Sequence, residues 1–319
     1  MSRVAIIGAG AWGAALAIQA ARAGADVTLW VRDRDRAAAM ARQRESPRLP
    51  GMKLPDGVVV TAELPSAADL FLLAVPLQHV RAVAARLGGD APLICCAKGV
   101  EAGTLRLPLE ILAELYPGRT AGVLTGPNFA AEIGAGQPAA TVVAALDAQL
   151  RAQVARLLGT PGFRVYGNND PIGAQVGGAA KNVIAIAAGA VIGAGLGENA
   201  RAALITRGLA EVSRLAVALG GQVETVMGLS GLGDLLLTCT SPASRNYSLG
   251  LALGRGEALA NALGHGTSVT EGVTTAPALV SRADNLDLPI CRSVRDLLTG
   301  SLDVRAAVER LLARPRRDE

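Results

Sequence analysis

The sequence predicts an α/β chain in two parts: a mainly parallel β-sheet covered by helices, followed by an all-helical C-terminal domain. Continuous apolar runs alternate with helical segments in the first half, as is typical of parallel strands buried on both faces. From about residue 170 the segments are long and alanine-rich, and no convincing strand pattern follows. The 319-residue length suits two domains, which we place at residues 1–169 and 170–319.

The first half alternates strands with helices in order along the chain. "RVAIIGAG" predicts a buried strand that enters a glycine turn, "AWGAALAIQAARAG" a helix that ends at Gly24, and "DVTLWVR" a second strand. Further strands are predicted, after a Pro-containing stretch at 46–55, in "GVVVTAEL", "DLFLLAVP", "APLICCAKG", "TAGVLTGP" and "AATVVAAL". Segments such as "LQHVRAVAARLG" and "TLRLPLEILAELYPG" supply helices between several of them. This rhythm indicates βα units and therefore a parallel sheet.

The second half begins with a long predicted helix, for which Pro171 suits the first turn. Within it, residues 177–195 are almost wholly small and apolar, yet Lys181 lies near their start. One interpretation is a lysine whose stem lies on apolar surface while its charge stays in water. The other is a lysine enclosed in a site that tunes it for proton transfer. The residues alone leave both open.

Composition excludes several classes of function. Aromatic residues make up 3% of the chain and basic residues are scattered, so no stacking platform for nucleic acid is expected. The four cysteines form no CxxC, zinc pattern or disulfide framework, which predicts no metal site and a reducing cytoplasm. Glycines interrupt the apolar N-terminus, unlike a signal peptide. The longest apolar stretch, Val183–Gly197, is shorter than the ~20 residues that a bilayer needs, so no membrane insertion is expected.

A glycine-rich turn indicates a dinucleotide site of the Rossmann type. Gly8, Gly10 and Gly13 have the GxGxxG spacing, directly after an apolar strand and at the start of a helix. The first glycine permits the tight turn, the second lets the backbone approach a pyrophosphate, and the third lets helix and strand pack closely. The N–H groups of the helix start then face the phosphates.

The end of the second strand bears on which dinucleotide binds. NAD-selective sites usually carry an acidic residue there, whereas this chain has Arg32, 19 residues after Gly13. An arginine can pair with a 2′-phosphate, which slightly favours NADP(H) over NAD(H). The alternative is a solvated turn in which Asp33 reaches inward instead.

Polar residues at two further strand ends indicate a ligand site. Lys98 in "CCAKG" lies at the carboxyl end of a buried strand, where ligands bind in open α/β sheets. Asn128 follows another strand in "GPNFAAEIGAG".

The helical half adds candidates in "GLSGLGDLLLTCTSPASRNYSLG". Its Ser244-Arg245-Asn246 run offers a hydroxyl, a guanidinium and an amide, which suits a phosphate. Asp234 in the same segment could also be a simple helix N-cap.

Together these motifs resemble a known enzyme family. "GAGAWGAALA", "AVPLQHVR", "AKGVE", "LTGPNFAAEI", "AAKNVIAIAAG", "GLSGLGDLLLT", "SRNYSLG" and "VTEGVTT" occur in this order over roughly residues 4–280. The chain is similar to the bacterial NAD(P)-dependent sn-glycerol-3-phosphate dehydrogenases. The 6-phosphogluconate and β-hydroxyacid dehydrogenases share the plan of a Rossmann domain plus helices, but are not expected to carry the "GLSGLGDL…SRN" segment.

The resemblance implies reversible reduction of dihydroxyacetone phosphate to sn-glycerol 3-phosphate, a phospholipid precursor. It implies catalytic roles for Lys181, Lys98 and Asp234. Cofactor contacts are implied for Gly8, Gly10, Ala11, Trp12, Gly13, Arg32, Lys98, Ala130, Arg245, Val269 and Glu271. Substrate contacts are implied for Lys98, Gly126, Asn128, Lys181, Asp234, Ser244, Arg245 and Asn246. Position 128 often carries Ser or Thr in this family, so Asn128 departs from its pattern.

On this interpretation, Lys181 donates a proton to the oxygen at C2 during reduction and accepts it during oxidation. Enclosure and the positive Lys98 would lower the pKa of Lys181, whereas Asp234 would orient the amine and oppose that drop. Two alternatives stay open: a β-hydroxyacid dehydrogenase, and an NAD(P)-binding regulator without turnover. A homodimer is also possible by analogy with similar helical domains.

Overall fold

The computed structural model describes residues 2–264 and 270–313. The chain forms two compact units. The first comprises the residues up to Lys98 together with Arg106–Gln175, and the second comprises Gly99–Leu105 and the chain from Val176 onward. The two units therefore part inside one helix, between Gln175 and Val176.

The first unit is built on an eight-stranded sheet. Its strands are β1 (Arg3–Ile7), β2 (Asp26–Trp30), β5 (Val59–Thr61), β6 (Leu70–Leu73), β7 (Leu93–Cys95), β8 (Ala121–Thr125), β9 (Ala139–Ala144) and β10 (Phe163–Asn168); a separate hairpin is formed by β3 (Glu45–Ser46) and β4 (Leu49–Lys53). The order is β10-β9-β8-β7-β6-β1-β2-β5, and every neighbouring pair is parallel except β8 with β9. The predicted mainly parallel sheet is confirmed.

Six α-helices belong to the first unit: α1 (Ala11–Arg22), α2 (Arg34–Gln43), α3 (Val80–Ala84), α4 (Pro108–Leu115), α5 (Ala130–Ala135) and α6 (Ala148–Leu158). Helix α1 lies against the sheet through the continuously buried stretch from Gly13 to Ala20, which its small side chains make possible. Asp147 caps α6 by accepting a hydrogen bond from the backbone N–H of Gln149.

Two features of this unit escaped the sequence prediction. Strand β10 is an edge strand, and only Phe163 of its six residues is buried, so it lacks the continuous apolar run of the inner strands. The β3–β4 hairpin lies in the Pro-containing stretch, where β4 itself includes Pro50. Proline is tolerated in such exposed, two-stranded pairings because one edge of each strand has no partner strand and needs no N–H donor.

The second unit is helical in all of its described residues. After α7 (Pro171–Gly193), which starts in the first unit, it contains α8 (Gly197–Ala218), α9 (Val223–Met227), a π-helical turn (Leu229–Gly233), α10 (Asp234–Thr240), α11 (Arg245–Gly254), α12 (Leu259–Gly264), α13 (Glu271–Arg282), α14 (Pro289–Leu298) and α15 (Val304–Leu312). The predicted all-helical second part is confirmed for these residues.

Helix α7 is the centre of the second unit. It is long and apolar enough to cross a membrane, but 89% of its most apolar window is buried inside the chain, as in the core helix of a globular domain. Added Cβ atoms on Gly189 and Gly193 would lie 2.0 and 2.2 Å from carbonyl oxygens of Tyr247 and Leu251 in α11. The two helix backbones are therefore in direct contact, and glycine is required there.

Candidate active site

The turn between β1 and α1 has the geometry of a phosphate-binding cradle. Gly8 has φ +115°, which disfavours any side chain, and a Cβ on Gly13 would lie 1.8 Å from the carbonyl oxygen of Gly8. A Cβ on Gly10 would meet nothing within 4 Å. Gly8 and Gly13 thus hold the turn closed, while Gly10 keeps the backbone open at the start of α1. Ala11 is the first residue of that helix. The cradle fits a dinucleotide pyrophosphate.

The first turn of α1 also meets the end of β7. Trp12 is half-buried and lies beside the Cys96 thiol. Burial raises the pKa of that thiol far above its usual value, so Cys96 stays neutral and takes no part as a nucleophile.

At the end of β2, Arg32 is exposed. The neighbouring Asp33 caps α2, because its carboxylate accepts a hydrogen bond from the backbone N–H of Arg36 at 2.7 Å. The Asp33 side chain therefore caps α2 and does not reach inward, as the sequence-based alternative had it. The exposed Arg32 is the side chain predicted to meet the ribose of a dinucleotide.

The ends of β7 and β8 lie side by side. Lys98 is half-buried, and its Nζ donates to the carbonyl oxygen of Gly126 at 3.5 Å. Gly126 has φ +137°, and a Cβ there would lie 3.2 Å from the Cα of Thr141. A side chain is disfavoured both by that conformation and by the neighbouring strand. The two predicted substrate contacts Lys98 and Gly126 thus lie next to each other.

Asn128 is held by its amide nitrogen. Nδ2 donates to the carbonyl oxygens of Ala140 at 2.8 Å and of Pro127 at 2.9 Å. Its Oδ1 is buried and has no hydrogen-bond partner among the described residues. A buried acceptor without a partner costs about 1–3 kcal/mol, so packing alone does not account for the position of this oxygen, and a bound ligand could donate to it. Ala130 begins α5 two residues later.

The centre of the second unit is a buried ion pair. The Nζ of Lys181 on α7 donates to Oδ1 of Asp234 at 2.5 Å and to Oγ1 of Thr238 at 2.9 Å. The side chains of Lys181 and Asp234 are 11% and 1% exposed. Asp234 is the first residue of α10, and the N-cap position is taken by Gly233, so the N-cap alternative does not describe Asp234. Lys181 is enclosed, not solvated.

Thr238 was not predicted as a site residue. It follows Asp234 by four residues, and that spacing puts both on one face of α10. Its hydroxyl donates to the carbonyl oxygen of Asp234 at 2.6 Å, so the remaining lone pair faces Lys181. The spacing D-x-x-x-T beside the lysine partner is the signal from which it could have been found.

The next residue, Cys239, is inert. Burial raises the pKa of its thiol to about 12, so the thiol stays protonated at neutral pH. Cys239 therefore takes no part in proton transfer beside Lys181.

The start of α11 carries the predicted phosphate residues. Ser244 is its N-cap and accepts a hydrogen bond from the backbone N–H of Tyr247 at 3.3 Å. Arg245 is the first residue of the ten-residue helix and is exposed. The guanidinium and the positive end of the helix dipole thus lie together, which favours an anion.

Asn246 is fixed from both sides. Its Nδ2 donates to Oδ1 of Asn182 at 3.0 Å, and its Oδ1 accepts from the backbone N–H of Gly272 at 3.0 Å. Asn182 adjoins Lys181, and Gly272 follows Glu271 at the start of α13. Asn182 was also missed from the sequence, although it stands beside the lysine in "KNV". Side-chain amides thus link three helices around the lysine.

One predicted cofactor contact, Val269, lies outside the described residues. The other predicted residues divide by unit: the glycine turn, Trp12, Arg32, Lys98, Gly126, Asn128 and Ala130 belong to the first, and Lys181, Asp234, Ser244–Asn246 and Glu271 to the second. No group of three or more His, Cys, Asp or Glu side chains able to hold a metal occurs among the described residues.

Comparison with known proteins gives matches over both units. The family model for the N-terminus of NAD-dependent glycerol-3-phosphate dehydrogenase matches residues 3–151, and that for its C-terminus matches residues 170–309. Proteins named glycerol-3-phosphate dehydrogenase [NAD(P)+] from Acidiphilium cryptum and Gluconobacter oxydans are 56% and 50% identical. Those alignments cover 99% and 98% of this chain and 98% and 97% of the relatives.

A solved structure agrees along the whole chain. The crystal structure of glycerol-3-phosphate dehydrogenase from Coxiella burnetii is 36% identical and superposes with a TM-score of 0.94. The superposition covers 98% of this chain and 99% of that one. The likeness therefore includes both the sheet and the helical part.

Proposed function

This chain belongs to the NAD-dependent glycerol-3-phosphate dehydrogenase family, and from this premise we propose that it interconverts dihydroxyacetone phosphate and sn-glycerol 3-phosphate with NADPH or NADH. The observation that carries the proposal is the buried Lys181–Asp234 pair, at 2.5 Å. A cofactor-binding regulator has no use for an enclosed lysine, whose burial costs stability. The nicotinamide cofactor, when bound, supplies or takes up the hydride.

The first unit is proposed to bind the cofactor and the second to supply the acid/base and phosphate groups. The Gly8–Gly13 cradle would hold the pyrophosphate and Arg32 the adenosine ribose, with Ala11, Trp12, Ala130, Val269 and Glu271 as further contacts. Lys98 would polarise the substrate carbonyl as negative charge develops on its oxygen. Lys98 and Arg245 would each contact both ligands, and Gly126 and Asn128 would line the substrate.

Lys181 is the proposed proton donor in reduction and acceptor in oxidation. Asp234 and Thr238 occupy two hydrogen-bonding positions of its Nζ, and an ammonium has three N–H donors. These two contacts fix the orientation of the amine that would donate to the oxygen at C2 of the substrate. Fixed orientation of this kind lowers the barrier to proton transfer because donor and acceptor are already aligned when the substrate binds.

Replacing Asp234 by Asn should shift the pH profile. Oxidation needs a neutral Lys181 amine, and the Asp234 carboxylate favours the ammonium. Removing that charge lowers the pKa of Lys181, so the rising limb of kcat for glycerol-phosphate oxidation should move to lower pH by about one pH unit or more. Steady-state rates across pH measure this. Asp69→Asn, which removes a surface partner of Arg3, should leave the profile in place, and an unshifted profile for Asp234→Asn contradicts the assignment.

Cofactor preference is proposed to favour NADP(H), through Arg32. Arg32→Ser should weaken NADPH binding about tenfold or more and leave NADH binding nearly unchanged, because only NADPH carries the 2′-phosphate. Dissociation constants from cofactor fluorescence test this. Arg34→Ser is the matched control, since Arg34 is exposed two residues away and pairs with Glu63. Equal losses of affinity for NADPH and NADH in Arg32→Ser would contradict a role of Arg32 in cofactor preference.

Turnover assays test the reaction itself. Purified protein should oxidise NADPH with dihydroxyacetone phosphate and be nearly inactive with dihydroxyacetone, which lacks the phosphate. Turnover of a non-phosphorylated β-hydroxyacid would favour the β-hydroxyacid dehydrogenase alternative. Cofactor binding without turnover of any of these compounds would favour the regulator.

We further propose a cytoplasmic homodimer that supplies glycerol 3-phosphate for glycerophospholipid synthesis. Val217, Val223 and Met227 near the junction of α8 and α9 are 54%, 42% and 51% exposed, and such side chains favour association. Light scattering of the purified chain distinguishes the states: a mass of two chains supports the dimer, and a mass of one chain contradicts it.

A further inference from the structure

A π-helical turn, Leu229–Gly233, directly precedes Asp234. Such turns are rare, cost hydrogen-bond geometry and occur mostly at functional sites. Ser230 within it is 1% exposed and Gly231 is also buried, so the middle of the turn is packed inside the second unit. The chain keeps this costly conformation immediately before the residue that pairs with Lys181.

The backbone of the π-turn lies directly on α7 at Gly177. A Cβ added to Gly177 would lie 2.6 Å from the carbonyl oxygen of Ser230 and 3.1 Å from the Cα of Gly231. Both are backbone atoms, which cannot rotate away as a side chain can. Any side chain at position 177 must therefore push the turn off the helix.

This contact is one helical turn from the ion pair. Gly177 and Lys181 are four residues apart in α7 and lie on the same face, about 6 Å apart along the axis. On the other side, Asp234 is the residue that follows the π-turn. The same two segments thus meet twice, first through backbone at Gly177 and then through the Lys181–Asp234 pair.

We propose that Gly177 is a positioning residue for the reaction, resting on the proposed role of Lys181. Because Gly177 has no side chain, the π-turn packs close enough to α7 for the Asp234 carboxylate to reach the Lys181 amine. Gly231 supports the turn from its other side, since a Cβ there would lie 1.9 Å from the carbonyl oxygen of Val226. Neither glycine touches substrate; both act through Asp234.

Gly177→Ala tests the proposal. Restoring ordinary contact with Ser230 requires a movement of about 0.8 Å, which would lengthen the Lys181–Asp234 bond. We expect kcat to fall about tenfold or more, and the pH profile of glycerol-phosphate oxidation to move to lower pH, as for Asp234→Asn. In the Asp234→Asn background, Gly177→Ala should add little to either change, because the partner that it displaces is already gone.

A rescue variant adds a readout that general loss of packing cannot mimic. The side chain introduced by Asp234→Glu is one methylene longer. Asp234→Glu should therefore lower kcat in the wild-type background, where there is no room for it, and raise kcat in the Gly177→Ala background, where the turn has moved away from α7. A pH profile unchanged by Gly177→Ala, together with additive losses and no rescue, overturns the proposal.

The matched control lies in the same helix. A Cβ on Gly189 would lie 2.0 Å from the carbonyl oxygen of Tyr247, so Gly189→Ala disturbs backbone packing at least as severely, but against α11. It should lower the melting temperature without moving the pH profile; an equal shift in the profile would contradict a specific role for Gly177.

Three further outcomes are decisive. If Gly177→Ala does not fold, Gly231→Ala displaces the same turn from its other contact and carries the same readouts; failure of both to fold overturns a role limited to positioning. If Lys181→Met keeps the wild-type kcat, the proposed function of the lysine fails. If Lys181→Met is impaired but Gly177→Ala leaves the profile in place, the positioning proposal alone fails.

Discussion

Lys181→Met should lower kcat in both directions by about 10²–10⁴-fold, the range that a positioned general acid or base contributes. Methionine keeps the unbranched stem but has no ionisable group, so the oxygen at C2 loses its proton donor. The dissociation constant for NADPH should change little, because Lys181 and the glycine cradle belong to different units. Steady-state kinetics and cofactor titration measure the two effects separately.

Stability needs its own control, because this variant leaves Asp234 buried without its cation. Breaking a buried ion pair from one side costs about 3–5 kcal/mol. The double variant Lys181→Met/Asp234→Leu removes both charges and should recover much of the free energy of unfolding while remaining inactive. Recovery of activity together with stability would show that the loss arose from misfolding and not from the missing proton donor. Lys53→Met, at a surface pair with Glu45, should change neither property.

Arg245→Leu should raise KM for dihydroxyacetone phosphate and lower kcat/KM by about a hundredfold, the worth of one or two charge-assisted hydrogen bonds. The residue starts α11, where guanidinium and helix dipole favour the same phosphate. At saturating cofactor, which Arg245 is also proposed to contact, the residual rate with non-phosphorylated dihydroxyacetone should be unchanged, because that compound has no phosphate for the arginine to bind. Steady-state kinetics with both substrates measure the contrast.

The other end of the same helix supplies the control for Arg245. Arg255 is the C-cap of α11 and is also exposed, so Arg255→Leu removes an equal charge from the helix without altering its N-terminus. It should leave KM unchanged. A similar rise in KM for both variants would point to general electrostatic attraction of the substrate and away from a phosphate site at Arg245.

Local patterns were sufficient for much of this structure. The apolar runs of β1, β6 and β8 are continuous because those strands are buried on both faces. The turn at Gly8–Gly13 was predictable because its spacing follows a strand and starts a helix, and the structure gives Gly8 and Gly13 distinct steric reasons.

Other features depend on contacts between distant residues, which a single sequence does not display. Asp234 could be an N-cap by its local sequence, and the physical reason for another role is its hydrogen bond with Lys181, 53 residues away. The edge strand β10 has one buried side chain, so its pattern is too weak to detect. The π-turn lies against Gly177, and the sequence identifies neither partner of that contact.

The most direct test of the central claim is a single turnover of Lys181→Met with both NADPH and dihydroxyacetone phosphate bound at saturating concentration. Rapid mixing followed by cofactor fluorescence reports the hydride-transfer step without substrate binding or product release. The account predicts transfer about 10²-fold or more slower than in the wild type, with both ligands bound at wild-type affinity. Transfer at the wild-type rate would contradict the assignment of Lys181 as the proton donor.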